Sequence, residues 1–165
     1  VQYQRAKYGN CGCCRLRFSV VPANRPAFVD PAFWAQARAK GEVCGDGDTG
    51  YIEISAEGLV PLGVYTVFFL TDQGPYPAAP TGVYYTGDGG DPNRLTVNGA
   101  GAVSYYVAPL NYNPFHGISL LSGLHVIQGV IINFHSDRLS HGLSPGVDNV
   151  NVFGQLVAPI CHPHH

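Results

Sequence analysis

At 165 residues the chain is long enough for one domain with a substantial core, yet only 12% of it is charged, and it holds 21 glycines and 13 prolines. The formal net charge of −2 supplies no positive field for nucleic acid or an anionic lipid surface, so neither partner is expected. Apolar runs such as 64–70 stop well short of the ~20 residues that a membrane-spanning helix needs, so no span is expected.

No methionine occurs, not even at position 1, so Val1 reads as an N-terminus left by processing. With five cysteines this points to a secreted chain, extracellular or at the cell surface, whose thiols can oxidise. Residues 1–14 read as a Cys-rich N-terminal arm, 15–160 as a single β domain and 161–165 as a Cys/His tail.

In chain order, residues 15–21 alternate and predict a strand, followed by a loop through Pro26. A short helix comes next: Asp30 can cap it, Pro31 suits its first position, Phe33, Trp34 and Ala37 form an apolar face, and Gly41 ends it. Residues 51–56 alternate cleanly, with Ile52, Ile54 and Ala56 on one face and Tyr51, Glu53 and Ser55 on the other. Residues 64–70 are apolar on both faces and predict a central strand. A long loop, 71–92, carries Pro75, Pro77, Pro80 and a Gly-Asp turn at 87–91. Residues 95–97 and 102–107 flank Asn98-Gly99 and predict a hairpin. Residues 124–135 predict a strand bent at Gly129, and 147–157 the last strand. Short strands with frequent turns make this an all-β chain: an antiparallel β-sandwich, jelly-roll or immunoglobulin-like, with one short helix and an extended arm.

The stretch Leu95-Thr96-Val97-Asn98-Gly99-Ala100-Gly101-Ala102-Val103-Ser104-Tyr105 and the closing Val152-Phe153-Gly154-Gln155-Leu156 resemble secreted bacterial β domains of the chordin-type and related sandwich families. The segment 58–67, reading Gly-Leu-Val-Pro-Leu-Gly-Val-Tyr-Thr-Val, is similar to hairpins of the same domains. The resemblance covers residues 50–157 and implies a sandwich fold and export. The His-x-His element that such families carry before their final strands is absent here.

Cys11, Cys13 and Cys14 sit in the arm, Cys44 in the domain and Cys161 in the tail. In an extended arm Cys11 and Cys13 point one way and Cys14 the other. Adjacent Cys13 and Cys14 do not suit a mutual disulfide, so they seek separate partners. Three readings stay open. One arm cysteine can pair with Cys44 and another with Cys161, leaving one thiol over. Alternatively, the arm crosslinks a neighbouring subunit, or the three thiolates hold a soft ion such as Cu(I). The arm Asn10-Cys11-Gly12-Cys13-Cys14 ahead of a β domain resembles, in design, endospore-appendage subunits, whose Cys-rich N-terminal connector crosslinks a fibre. That resemblance implies a homo-oligomer or polymer locked by disulfides.

Seven histidines invite a metal reading. His162, His164 and His165 follow Cys161 directly and can bind Cu or Zn at neutral pH. His125 and His135 lie ten residues apart, about 33 Å along one strand, too far to share an ion. His135 and His141 bracket a short loop and make the best internal pair, with Asp137 as a third ligand or a partner to one of them. A calcium site is less favoured. Asp46, Asp48 and Glu57 take the first, third and last positions of an EF-hand loop, but Tyr51 stands where its glycine is required. Looser pairs are Asp46 with Asp48 and Asp88 with Asp91.

Ser136, Asp137 and His141 are triad residue types without a nucleophile elbow, so no catalytic residue is assigned and a non-enzymatic chain is expected. Tyr84-Tyr85 and Tyr105-Tyr106 would each set one ring on either face of a strand, where an exposed ring can stack on a cell-surface glycan or fill a subunit interface. The leading expectation is an exported subunit that self-assembles into a filament or surface layer through its arm and requires no cofactor. The alternatives are a copper- or zinc-binding module and a carbohydrate-binding or adhesion module.

Overall fold

The computed structural model describes residues 12–87 and 91–161. It is an all-β sandwich of two main antiparallel sheets. The strands are β1 (Cys13–Arg17), β2 (Ser19–Val20), β3 (Arg38–Asp46), β4 (Thr49–Glu57), β5 (Val64–Thr71), β6 (Gly74–Pro77), β7 (Arg94–Thr96), β8 (Val103–Leu110), β9 (Ile118–Leu120), β10 (Gly123–His125), β11 (Ile127–His135) and β12 (Val152–Pro159). One sheet runs β1-β3-β4-β8. The larger runs β2-β12-β11-β5-β6, with β7 also paired to β5, and β9 and β10 form a separate ribbon. No helix among the described residues is long and apolar enough to cross a membrane.

The alternation along β4 holds: Ile52, Ile54 and Ala56 are buried in the core with Leu16 and Val43. Opposite them the larger sheet presents Tyr65, Val67, Phe69, Val130, Ile132, Phe134 and Leu156. Trp34 is sealed within this core, and its indole N–H donates to the Val21 carbonyl at 3.0 Å. A buried polar chain runs beside it. The Tyr65 hydroxyl donates to Gln155 Oε1 at 2.7 Å, and the Gln155 amide donates to the Trp34 carbonyl at 3.2 Å.

Several elements differ from their sequence pattern. The strand expected over 15–21 is two strands in two sheets: β1 pairs with β3, and β2 with β12. The helix α1 (Pro31–Ala35) is capped by Asp30 as expected, but the chain enters β3 at Arg38. Gly41 therefore ends no helix. It sits mid-strand, where a Cβ would collide with the Glu53 carbonyl of β4, so close strand approach explains the glycine.

Asn98-Gly99 does turn the chain, with Asn98 Oδ1 accepting from Ala100 and Ala102 N–H at 2.9 and 3.0 Å. The flanking strands are not a hairpin, because β7 joins β5 and β8 joins β4 across the sandwich. The loop expected over 71–92 contains β6. Residues 124–135 divide into β10 and β11, with an irregularity between Ile127 and Gly129. The last strand starts at Val152 rather than 147.

Candidate metal centre

Along β11, Val130, Ile132 and Phe134 face the core, so Ile131, Asn133 and His135 face away from it. On β5, register places Thr66 opposite Asn133 and Val64 opposite His135, on that same outward face. Such a face usually meets water, yet Val64, Thr66 and Phe68 are wholly buried and His135 is 1% exposed. The loops after β6 and after β11 meet here. The His141 N–H donates to the Gly87 carbonyl at 3.0 Å.

Asp91 fastens the two loops together. Its carboxylate accepts from the Thr86 N–H at 2.7 Å, the Gly87 N–H at 3.1 Å, the Ser140 hydroxyl at 2.5 Å and the Gly142 N–H at 3.2 Å. Burial pushes this carboxyl's pKa up, but the hydrogen bonds from Ser140, Gly87, Thr86 and Gly142 outweigh it and the net shift is downward. Its lone pairs are engaged by protein donors, so Asp91 is a clamp and a poor calcium ligand.

The loop so held carries Asp137 and His141. Arg138 and His141 take the left-handed backbone region, with φ of 64° and 65°, a conformation that costs energy for residues with a Cβ. The His141 ring lies against Gly146, where a Cβ would come within 3.3 Å of it. His141 Nε2 is 2.7 Å from Asp137 Oδ2. The His135 and His141 rings are near-parallel at 24°, with centroids 5.7 Å apart. One nitrogen of each ring and one Asp137 oxygen lie within 4.8 Å of one another.

His135 is the anchor. Its Nε2 is 2.7 Å from Thr66 Oγ1, while its buried Nδ1 has no hydrogen-bond partner. With the hydrogen on Nε2 and donated to Thr66, Nδ1 presents a bare lone pair. Burial first, then His141 and Arg94, push the His135 imidazole from 6.5 down to about 4 against the opposing pull of Asp137. The ring is therefore neutral at physiological pH, as a ligand must be. Two imidazoles and one carboxylate suit Zn or Cu; calcium prefers an all-oxygen set.

The cysteines are placed as follows. Cys13, the register partner of Cys44, is disulfide-bonded to it, and Cys14 is bonded to Cys161. Cys14 is buried in the core and Cys13 lies on the opposite face, in keeping with alternation. Cys13, Glu42 and Cys44 also cluster, but sulfurs joined in a disulfide are not thiolate ligands. The Cu(I) reading of the arm therefore loses Cys13 and Cys14, and neither is available to crosslink a neighbour while these bonds stand. Cys11, His162, His164, His165 and Asp88 lie outside the described residues.

His125 sits on β10, 2.7 Å from Ser122 Oγ, in a different strand from His135. Asp46 and Asp48 are exposed about the β3–β4 turn. The Ser136 hydroxyl reaches the Val150 carbonyl at 3.4 Å, so the only hydrogen bond among the triad types is that of His141 with Asp137. Tyr105 is buried and donates to the Ala78 carbonyl at 2.6 Å, whereas Tyr106 is 48% exposed. Tyr84 and Tyr85 lie in no strand, and Tyr84 is 83% exposed.

The sequence pattern left Thr66 unmarked, although a polar residue inside the apolar run 64–70 was an available signal, and it offered Asp91 only as a calcium ligand with Asp88, because nothing local marks a clamp between two distant loops. Neither a protein-family model nor a curated protein matches this chain.

Proposed function

We propose that this chain is an exported β-sandwich module that binds one transition-metal ion, Zn or Cu, through His135, Asp137 and His141. The observation that carries the reading is the buried His135, whose Nδ1 has no hydrogen-bond partner, in a cluster that brings one nitrogen of each imidazole and an Asp137 oxygen within 4.8 Å of one another. A buried polar atom without a partner is costly, and an ion would satisfy it. Two disulfides favour an oxidising compartment and hence export. Elemental analysis of protein purified without chelators is expected to give near one ion per chain, lost in His141→Ala. Absence of metal from the wild-type protein, with no uptake on adding Zn or Cu, would refute the reading.

A second reading, self-assembly through the arm, keeps one specific support. Two disulfides use four of the five cysteines in this sequence, and Cys11 is the fifth. It predicts a covalent dimer or larger species on non-reducing electrophoresis of native material, abolished by Cys11→Ser. Monomer alone in both lanes would dismiss it.

A further inference from the structure

We propose that the outer face of the four-stranded sheet binds a neutral oligosaccharide, with Tyr106 as its stacking platform. Register lines up the side chains that build this face. Arg38 stands beside Glu57, Lys40 beside Ser55, Ser55 beside Ser104, and Glu53 beside Tyr106. Two adjoining clefts lie here. One, of about 700 Å³, is lined by Arg38, Lys40, Ser55, Glu57 and Ser104 with their neighbours. The second, of about 370 Å³, shares Ser55 and Ser104 and reaches Glu53 and Tyr106. Volumes of this order hold small ligands. From Glu57 to Glu53 the strand advances about 13 Å, which gives room for more than one sugar ring.

The lining suits an uncharged, polyhydroxylated ligand. Its walls hold two cationic side chains, Arg38 and Lys40, and two anionic ones, Glu53 and Glu57, so no net field selects an ion. Arg38 and Glu57 are paired with each other. The Lys40 ammonium donates, the Glu53 carboxylate accepts, and the exposed hydroxyls of Ser55 and Ser104 do both, which complements a row of sugar hydroxyls. The ring supplies the apolar contact. Tyr106 is 48% exposed, and its ring rests on that of Tyr51, with centroids 6.0 Å apart and planes at 56°. Tyr51 is wholly buried and its hydroxyl donates to Glu42 Oε1 at 2.7 Å, so the platform is held from beneath before a ligand arrives. A pyranose laid on the open side of Tyr106 buries its C–H groups there, within reach of Glu53, the register partner of that ring. These clefts share no residue with the cluster of His135, Asp137 and His141.

The test titrates the intact chain calorimetrically with cellohexaose, mannohexaose and N-acetylchitohexaose, and with hexagalacturonate as the charged comparison. Saturable binding of at least one neutral sugar is expected, tighter than that of hexagalacturonate. Tyr106→Leu should weaken it about tenfold, and Tyr106→Trp, which keeps a stacking ring, should restore most of it. Lys40→Ala and the pair Ser55→Ala with Ser104→Ala change only exposed side chains, and each should weaken binding about threefold even if Tyr106→Leu fails to fold. His141→Ala, which removes the proposed metal ligand, should bind sugar as the wild type does, so this inference and the metal reading stand or fall separately. Binding of none of the three neutral sugars would overturn the proposal, as would hexagalacturonate binding more tightly than all of them. Undiminished affinity in both Lys40→Ala and the double serine variant would also overturn it, by placing the sugar elsewhere.

Discussion

The two sheets of this sandwich have matching inner faces and opposite outer ones. Outside the four-stranded sheet, register aligns Arg15, Glu42, Glu53 and Tyr106 in one row and Arg17, Lys40, Ser55 and Ser104 in the next, most of them exposed. Outside the larger sheet, Val64, Thr66, Phe68 and His135 are shut away from water by the loops after β6 and β11. A strand face is polar or buried according to what covers it. Here the covered face hosts a cluster of metal-ligating side chains that no disulfide engages, because loops that exclude water also hold groups in place.

The comparison can be broken from its strongest link downward. The Cys14–Cys161 disulfide ties β1 of one sheet to the residue just beyond β12 of the other, across 147 residues of chain. Cys14→Ser with Cys161→Ser should cost about 5 kcal/mol by loop-closure entropy, against about 3–4 for the Cys13–Cys44 bond, which joins neighbours in one sheet across 31 residues. Urea unfolding checks this; an equal loss for both pairs would deny that the inter-sheet link matters more. Next, Phe68→Ala on the covered face should cost about 3–5 kcal/mol, as a core truncation does. A loss under about 1 kcal/mol would mean that the loops do not seal that face.

Acid should then separate the two faces. His135 has its pKa depressed from 6.5 to about 4, so the unfolded chain binds more protons than the folded one between those values. Its contribution of about 3 kcal/mol is present above pH 6.5 and is lost as pH falls through 4. Metal-free wild type should thus lose that much more stability over this window than His135→Asn; parallel pH curves would contradict the burial of a neutral ring. Smallest of all, Ser104→Ala or Arg15→Ala on the wet face should shift stability by no more than about 0.5 kcal/mol. A larger loss would show that this face is covered too.

Much of this was legible in the chain. The buried row Ile52, Ile54 and Ala56, the doubly apolar β5, the cap at Asp30, the opposed directions of Cys13 and Cys14, and the grouping of His135, Asp137 and His141 all follow from spacing. Each depends on atoms a few residues apart, whose geometry the pleat or the helical turn dictates. Tertiary structure alone decided which arm cysteine meets Cys44 and which meets Cys161. It also sent β1 and β2, then β7 and β8, into different sheets. Burial of the outward-facing His135 beside Thr66, under loops clamped by Asp91, was settled at the same level. Those outcomes depend on which distant strands pair and which loops meet, and a local turn or alternating pattern is compatible with several such pairings.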